Sequence, residues 1–127
     1  MKLLVDTHAL IWWLRDDPKL GANSRRALDD AQTIVYVSAA SAWEIAIKHA
    51  LGKLPIGDDL AEQLAQAGFI ELPISIADGL TAGALPRIHA DPFDRMIIAQ
   101  AQRLGLTVVT DDAKIDRYDI DVMRALE

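Results

Sequence analysis

The chain has 127 residues, of which 51% are hydrophobic and 25% charged, and its formal net charge at pH 7 is −6. This length suits one domain, residues 1–127, with a core of its own, and the absence of cysteine excludes disulfides and thiolate metal sites. The acidic balance argues against a protein that follows a long nucleic-acid backbone by counterion release, although carboxylates that hold cations are also counted as negative.

No stretch of the sequence approaches the roughly 20 apolar residues of a membrane span. The apolar start is interrupted at Asp6 and His8, and no small-residue cleavage site follows it. We therefore expect a cytoplasmic protein that has no membrane partner.

The first predicted element is a buried strand that ends in a carboxylate. Residues 3–5 are all apolar, and Asp6 follows as the last residue of the strand. In open parallel sheets the carboxyl ends of the strands face the ligand crevice, so Asp6 is expected to form one wall of a metal site. The next helix, with Thr7 as its N-cap, is apolar nearly all round. This predicts that Trp12 or Trp13 lies at an interface, while core positions for both are about as probable.

The middle of the chain alternates helices and strands. A helix is predicted within residues 20–31, a strand at 33–37, a helix at 39–51 closed by Gly52, a helix from the N-cap Asp58 to Gly68, a strand at 69–72, and a helix that begins at the cap Ser75 and ends near Gly83. Residues 84–90 then form a loop that carries Arg87 and His89.

Glu44 lies in the first or second turn of the helix at 39–51, near the crevice edge where Asp6 is expected. Two structural roles compete with a functional one. Ser41 and Glu44 fit the spacing of a capping box, and Glu44 and Lys48 have the spacing of an i, i+4 ion pair. Taken alone, these structural roles are the better account of Glu44.

The last third of the chain has the clearest helix boundaries. Asp91 as N-cap, Pro92 at the first helical position and Gly105 after the end delimit one helix, with Asp94 in its first turn. A strand follows at residues 107–109, and the aspartates 111 and 112 come after it as Asp6 comes after the first strand. A last strand near residues 120–123 is expected at an edge of the sheet.

This alternation predicts a three-layer α/β/α domain with a parallel sheet of about five strands. Asp6, Glu44, Asp94 and one of the paired aspartates would then meet at one rim. Four carboxylates repel one another unless hard cations neutralise them, which favours Mg²⁺ or Mn²⁺. The three histidines have no zinc-site spacing, and we interpret them as surface or packing residues.

Four blocks of the sequence resemble the signature blocks of the PIN-domain family, in the branch of VapC-type toxins. They are residues 3–10 (LLVDTHAL), 38–45 (SAASAWEI), 89–101 (HADPFDRMIIAQA) and 108–112 (VVTDD). The resemblance implies a Mg²⁺-dependent endoribonuclease, with Mn²⁺ as a possible substitute. Its catalytic and metal-binding residues fall on Asp6, Glu44, Asp94 and Asp112, with Thr110 as a hydroxyl-bearing neighbour. Asp111 is the alternative to Asp112 if the strand ends one residue earlier.

The same resemblance implies a homodimer and a cognate VapB-type antitoxin that wraps the helices near Trp12 and Trp13. Lys48 and Arg95 are candidates for orienting RNA, and Arg95 alternatively for a surface ion pair. Two other functions compete. A haloacid-dehalogenase-like phosphatase would use Asp6 as nucleophile, but that chemistry expects a second aspartate where His8 stands. A non-catalytic module that binds an antitoxin is less compatible with an intact acidic set.

Overall fold

A parallel five-stranded sheet forms the centre of the protein. The computed structural model describes residues 1–56 and 59–127. The strands are β1 (Lys2–Val5), β2 (Ile34–Ser38), β3 (Ile70–Leu72), β4 (Thr107–Thr110) and β5 (Val122–Arg124), in the order β3-β2-β1-β4-β5. Every neighbouring pair is parallel, so the predicted α/β class is confirmed. The predicted N-cap Asp58 lies outside the described residues.

Helices cover the two faces of this sheet. They are α1 (Thr7–Leu14), α2 (Ala22–Asp29), α3 (Ala39–Ala50), α4 (Leu60–Gln66), α5 (Ile76–Ala84) and α6 (Pro92–Leu104), with a 3-10 turn at Ile115–Arg117. The boundaries of α6 are those predicted: the Asp91 carboxylate accepts from the Phe93 and Asp94 amides, and Gly105 ends the helix with a φ of 66°. Within the described part of the chain, no helix is long and apolar enough to cross a membrane.

Successive side chains of the central strands point to opposite faces of the sheet, and they divide the core into two clusters. Leu3 and Val5 point into one cluster, which also takes residues of α1, α2 and α3. Leu4 points to the opposite face, where it packs with residues of α5 and α6. Because β1 is covered on both faces, the side chains of Leu3, Leu4 and Val5 are fully buried and the carboxyl end of the strand is fixed in position.

The register of the strands aligns their carboxyl ends at one rim. Val5 pairs with Val109, and the Asp6 amide donates to the Val109 carbonyl at 3.0 Å. Ser38 ends β2 at the same rim, and α3 starts directly after it. Residues that follow β1, β2 and β4 therefore meet, although they lie far apart in sequence.

Two predicted helix caps are wrong. Asp6, not Thr7, is the N-cap of α1, because its carboxylate accepts from the Ala9 amide while Thr7 is already helical. Likewise Ser38 caps α3 by accepting from the Ala40 amide, so Ser41 lies inside the helix and forms no capping box with Glu44. In both cases the helix begins directly after the strand. The N-cap therefore lies one or more residues earlier in the chain than the sequence predicted.

Candidate active site

Four carboxylates from four separate segments face one another at the rim. Asp6 follows β1, Glu44 lies in the second turn of α3, Asp94 lies in the first turn of α6, and Asp112 comes two residues after β4. Asp6 and Glu44 are buried, with 3% and 7% of their surface exposed. The charges of Asp6 and Glu44 contribute to a raised pKa of Asp94, and the charge of Asp112 contributes to a raised pKa of Asp6. The structure thus brings all four predicted acids together.

Asp6 is the most deeply buried of these acids. One carboxylate oxygen accepts from the Ala9 amide at 2.8 Å, and the other accepts from the Thr110 hydroxyl at 2.5 Å. Burial raises the pKa of Asp6 above its ordinary value even though both hydrogen bonds favour the charged form. The Thr110 hydroxyl also accepts from the Asp112 amide at 3.0 Å. Thr110 therefore connects the first acid to the last.

Asp94 carries the clearest electrostatic signature of the site. Burial, followed by the charges of Asp91 and Asp6, raises the pKa of Asp94 to about 7. Glu44 adds to this effect, and His89 opposes it. Burial and the neighbouring carboxylates thus both disfavour the charged form of Asp94. A bound cation would favour that charged form.

Glu44 forms an ion pair with Lys48 among the residues that the structure describes. Lys48 Nζ lies 3.0 Å from its carboxylate, which confirms the predicted i, i+4 pair. The lysine is 35% exposed, and its flexible stem leaves it able to turn towards solvent or an anion. One turn earlier, the Thr7 hydroxyl donates to Ser41 Oγ at 3.0 Å and ties α1 to α3 beside the site.

His89 belongs to the site, so its interpretation as a surface or packing residue is wrong. It is buried, and its Nε2 lies 2.7 Å from Asp112 Oδ2 and 3.0 Å from Asp94 Oδ2. One ligand atom from each of these three residues lies within 4.8 Å of the other two. The signal that was missed is local: His89 stands two residues before the cap Asp91, whose amide donates to His89 Nδ1 at 3.2 Å.

The structure distinguishes the two adjacent aspartates after β4. Asp111 is exposed, whereas the Asp112 carboxylate faces His89 and accepts from the Lys114 amide at 2.8 Å. Burial raises the pKa of Asp112, but the hydrogen bonds from His89 and Lys114 outweigh it and hold that pKa below its usual range. Asp112 therefore stays ionised, while Asp94 opposite it tends to keep a proton.

Arg95 forms no ion pair with the residues that the structure describes, and it binds backbone carbonyl oxygens instead. Its guanidinium donates to the carbonyl oxygens of Ala82 and Leu85 at 2.8 and 2.9 Å, and to those of Pro86 and His89 at 3.1 Å. With its donors used in this way, Arg95 holds the loop between α5 and α6 in place and leads the chain to His89. Its role is structural.

The three tryptophans differ in exposure, and neither alternative considered for Trp12 and Trp13 is excluded by their positions. Trp12 and Trp13 are half-buried against the core, and the Trp13 ring lies 4.7 Å from that of Phe69. The exposed tryptophan is Trp43, which is 64% accessible and makes an edge contact of 5.3 Å with Phe93. Trp43 and Phe93 directly precede Glu44 and Asp94, so this aromatic pair borders the acidic rim.

Comparison with known proteins gives concordant results. The family model described as PIN domain matches residues 3–121. Ribonuclease VapC22 of Mycobacterium tuberculosis is 31% identical over 121 residues, which cover 89% of this chain and 88% of the relative. A toxin-antitoxin complex from Klebsiella pneumoniae is similar in structure, with a TM-score of 0.68, 20% identity and 97% coverage of each chain. VapBC2 from Rickettsia felis bound to a promoter DNA fragment has a TM-score of 0.67 at 15% identity, covering 97% of this chain and 98% of that one.

Proposed function

Because this chain belongs to the PIN domain family, within its VapC branch, we propose that it is a Mg²⁺-dependent endoribonuclease and the toxin of a toxin-antitoxin pair. The observation that carries the proposal is the meeting of Asp6, Glu44, Asp94 and Asp112 at one rim, with the pKa of Asp94 raised to about 7. Residues 1–127 act as one domain, in the cytoplasm. The similar proteins support this assignment through their names, one a ribonuclease and others toxin-antitoxin complexes.

The four acids are the residues that hold the cation. Their donors are all carboxylate oxygens, the set that hard divalent ions prefer, and their unbalanced charge is the condition that such an ion relieves. When bound, Mg²⁺ or Mn²⁺ supplies positive charge that polarises a phosphodiester and favours ionisation of water for in-line attack. Thr110 fixes the carboxylate of Asp6 by its hydrogen bond, and Lys48 balances Glu44 until the site is filled.

A positively charged cleft lies beside this acidic rim. Arg87, His89 and Lys114 are among the residues that line it. A net charge of −6 therefore does not describe the surface next to the site, where Arg87 and Lys114 offer charge to RNA phosphates. His8 is exposed at the position where a phosphatase would carry its second aspartate, which leaves the phosphatase alternative without its acid–base residue.

The decisive experiment uses the two adjacent aspartates as a matched pair. Purified protein is incubated with total RNA, with Mg²⁺ or with EDTA. We expect Asp112→Asn to abolish cleavage and the exposed Asp111→Asn to leave it unchanged, because only Asp112 faces the other acids. Cleavage that persists in EDTA, or that survives both Asp94→Asn and Asp112→Asn, would refute the metal-dependent mechanism.

We also propose a cognate antitoxin of VapB type and a homodimer. An apolar groove between α4 and the sheet edge is lined by Leu60, Leu64 and Phe69, and Phe69 contacts Trp13. We propose this groove, which adjoins Trp13 of α1, as the surface that binds the antitoxin. Ala65→Arg should block the groove and weaken the complex, whereas the neighbouring exposed Gln66→Arg should not. Equal antitoxin affinity of both variants would remove the groove from the proposal, and sedimentation of the toxin alone tests the dimer.

A further inference from the structure

We propose that His89 is a positioning residue that holds Asp94 and Asp112 in the arrangement a cation needs, and that it acts as a hydrogen-bond donor instead of a metal ligand. The inference rests on the proposed metal site and adds a residue to its machinery. It starts from the contacts of one nitrogen, since His89 Nε2 lies within hydrogen-bond distance of a carboxylate oxygen on each acid.

The other ring nitrogen determines where the proton lies. The Asp91 amide donates to Nδ1 at 3.2 Å, so Nδ1 uses its lone pair as an acceptor. The ring proton is then on Nε2 and points between the two acids. For Nε2 to bind a metal, that proton would have to move to Nδ1, where it would face the N–H of Asp91. The backbone thus opposes a ligand role and favours a donor role.

The backbone of His89 is fixed by contacts that do not involve the carboxylates. The His89 amide donates to the Tyr118 hydroxyl oxygen at 2.8 Å, and its carbonyl oxygen accepts from Arg95 at 3.1 Å. The Tyr118 hydroxyl in turn donates to the Pro86 carbonyl oxygen at 2.7 Å. Together with the Asp91 amide that donates to Nδ1, these contacts hold His89 in place independently of the two acids that its Nε2 contacts.

Asp112 depends most on such a partner. It lies in the segment after β4 and its side chain is 33% exposed, whereas Asp94 is carried by a long helix and is 13% exposed. Each carboxylate oxygen has two lone pairs, so an oxygen that accepts from Nε2 can still bind a cation. His89 can therefore orient Asp112 and still leave its carboxylate able to bind a cation.

The test uses two amide variants of different length. His89→Asn retains an acceptor near Nδ1 for the Asp91 amide but does not reach the carboxylates, whereas His89→Gln places an N–H donor near the position of Nε2. Mn²⁺ binding is measured by calorimetry on the full chain, with thermal unfolding to show that each variant folds. We expect the Kd to rise about tenfold for His89→Asn and to stay near the wild-type value for His89→Gln.

Two further measurements separate the outcomes. Electron paramagnetic resonance of the Mn²⁺-loaded wild type should show no nitrogen coupling from His89, and ¹⁵N NMR should show its proton on Nε2. Direct nitrogen coupling, or an unchanged Kd in the folded His89→Asn variant, would overturn the proposal. If the wild type itself binds no Mn²⁺, the proposed function fails first, so the two failures are distinguishable.

Discussion

The raised pKa of Asp94 predicts that this residue destabilises the protein when no metal is bound. Its ordinary value of 3.8 becomes about 7 in the fold. The folded state therefore binds more protons than the unfolded chain between those values, so stability falls as pH rises from about 4 to 7 and stays low above it. Asp94→Asn, which has nearly the same shape and no charge, should be more stable than the wild type at pH 8 in EDTA.

The structure sets the size of this gain. A difference of about three pKa units corresponds to about 4 kcal/mol, at about 1.4 kcal/mol for each unit. The side chain is 13% exposed, and solvent screening reduces the repulsion, so we expect about 2 to 4 kcal/mol. For a domain of this size, that is a rise in Tm of roughly 7 to 15 °C.

Differential scanning calorimetry at two pH values tests this reasoning. The Asn variant should gain most at pH 8 and little near pH 4, which lies close to the ordinary pKa of 3.8 and far below the folded-state pKa of about 7. Millimolar Mg²⁺ should then raise the Tm of the wild type more than that of the variant, because only the wild type retains the full ligand set. A variant that is no more stable than the wild type at pH 8 in EDTA would refute the charge-repulsion argument.

Three other predictions follow from the same contacts. Thr110→Val removes the hydroxyl that donates to Asp6, so the rate of RNA cleavage should fall about tenfold. The control Thr107→Val, at the start of the same strand, should change the rate little. Equal rates for the two variants would contradict the role given to Thr110. Arg95→Lys removes most of the hydrogen bonds to the loop carbonyls, so the free energy of unfolding measured by chemical denaturation should fall by about 2 to 3 kcal/mol. A fall below about 0.5 kcal/mol would show that these hydrogen bonds are not needed for stability. The affinity for Mg²⁺ should fall by up to about tenfold for each pH unit below pH 7, because Asp94 must lose its proton to bind the cation. A Mg²⁺ affinity that calorimetry finds to be the same at pH 5 and pH 7 would contradict this.

Most of the fold is predictable from the sequence because its signals are local. The apolar run before Asp6 and the cap, proline and glycine that bound α6 need no knowledge of the rest of the chain. The alternation of strands and helices along the sequence then predicts a parallel sheet. In such a sheet, acidic residues that directly follow the strands are expected at one rim. The capping errors at Thr7 and Ser41 arose because propensity alone cannot tell how far a strand continues before its helix begins.

The position of His89 just before the Asp91 cap is visible locally, but the contacts that give His89 and Arg95 their roles are made with residues elsewhere in the chain. His89 meets Asp112 across 23 residues, and Arg95 reaches back to carbonyls of the preceding loop. Neither contact leaves a periodic pattern in the sequence. Metal-site spacing rules also direct attention to pairs of histidines, whereas here a single histidine serves two carboxylates.

The order of the strands has a consequence for when activity can arise. β1 is made first, but its neighbour β4 comes about a hundred residues later, and the Thr110–Asp6 hydrogen bond spans 104 positions. A chain still on the ribosome holds Asp6 and Glu44 without Asp112, so it has no complete cation cradle until the last third has emerged and inserted beside β1. The topology therefore delays the meeting of the four acids until folding is nearly finished.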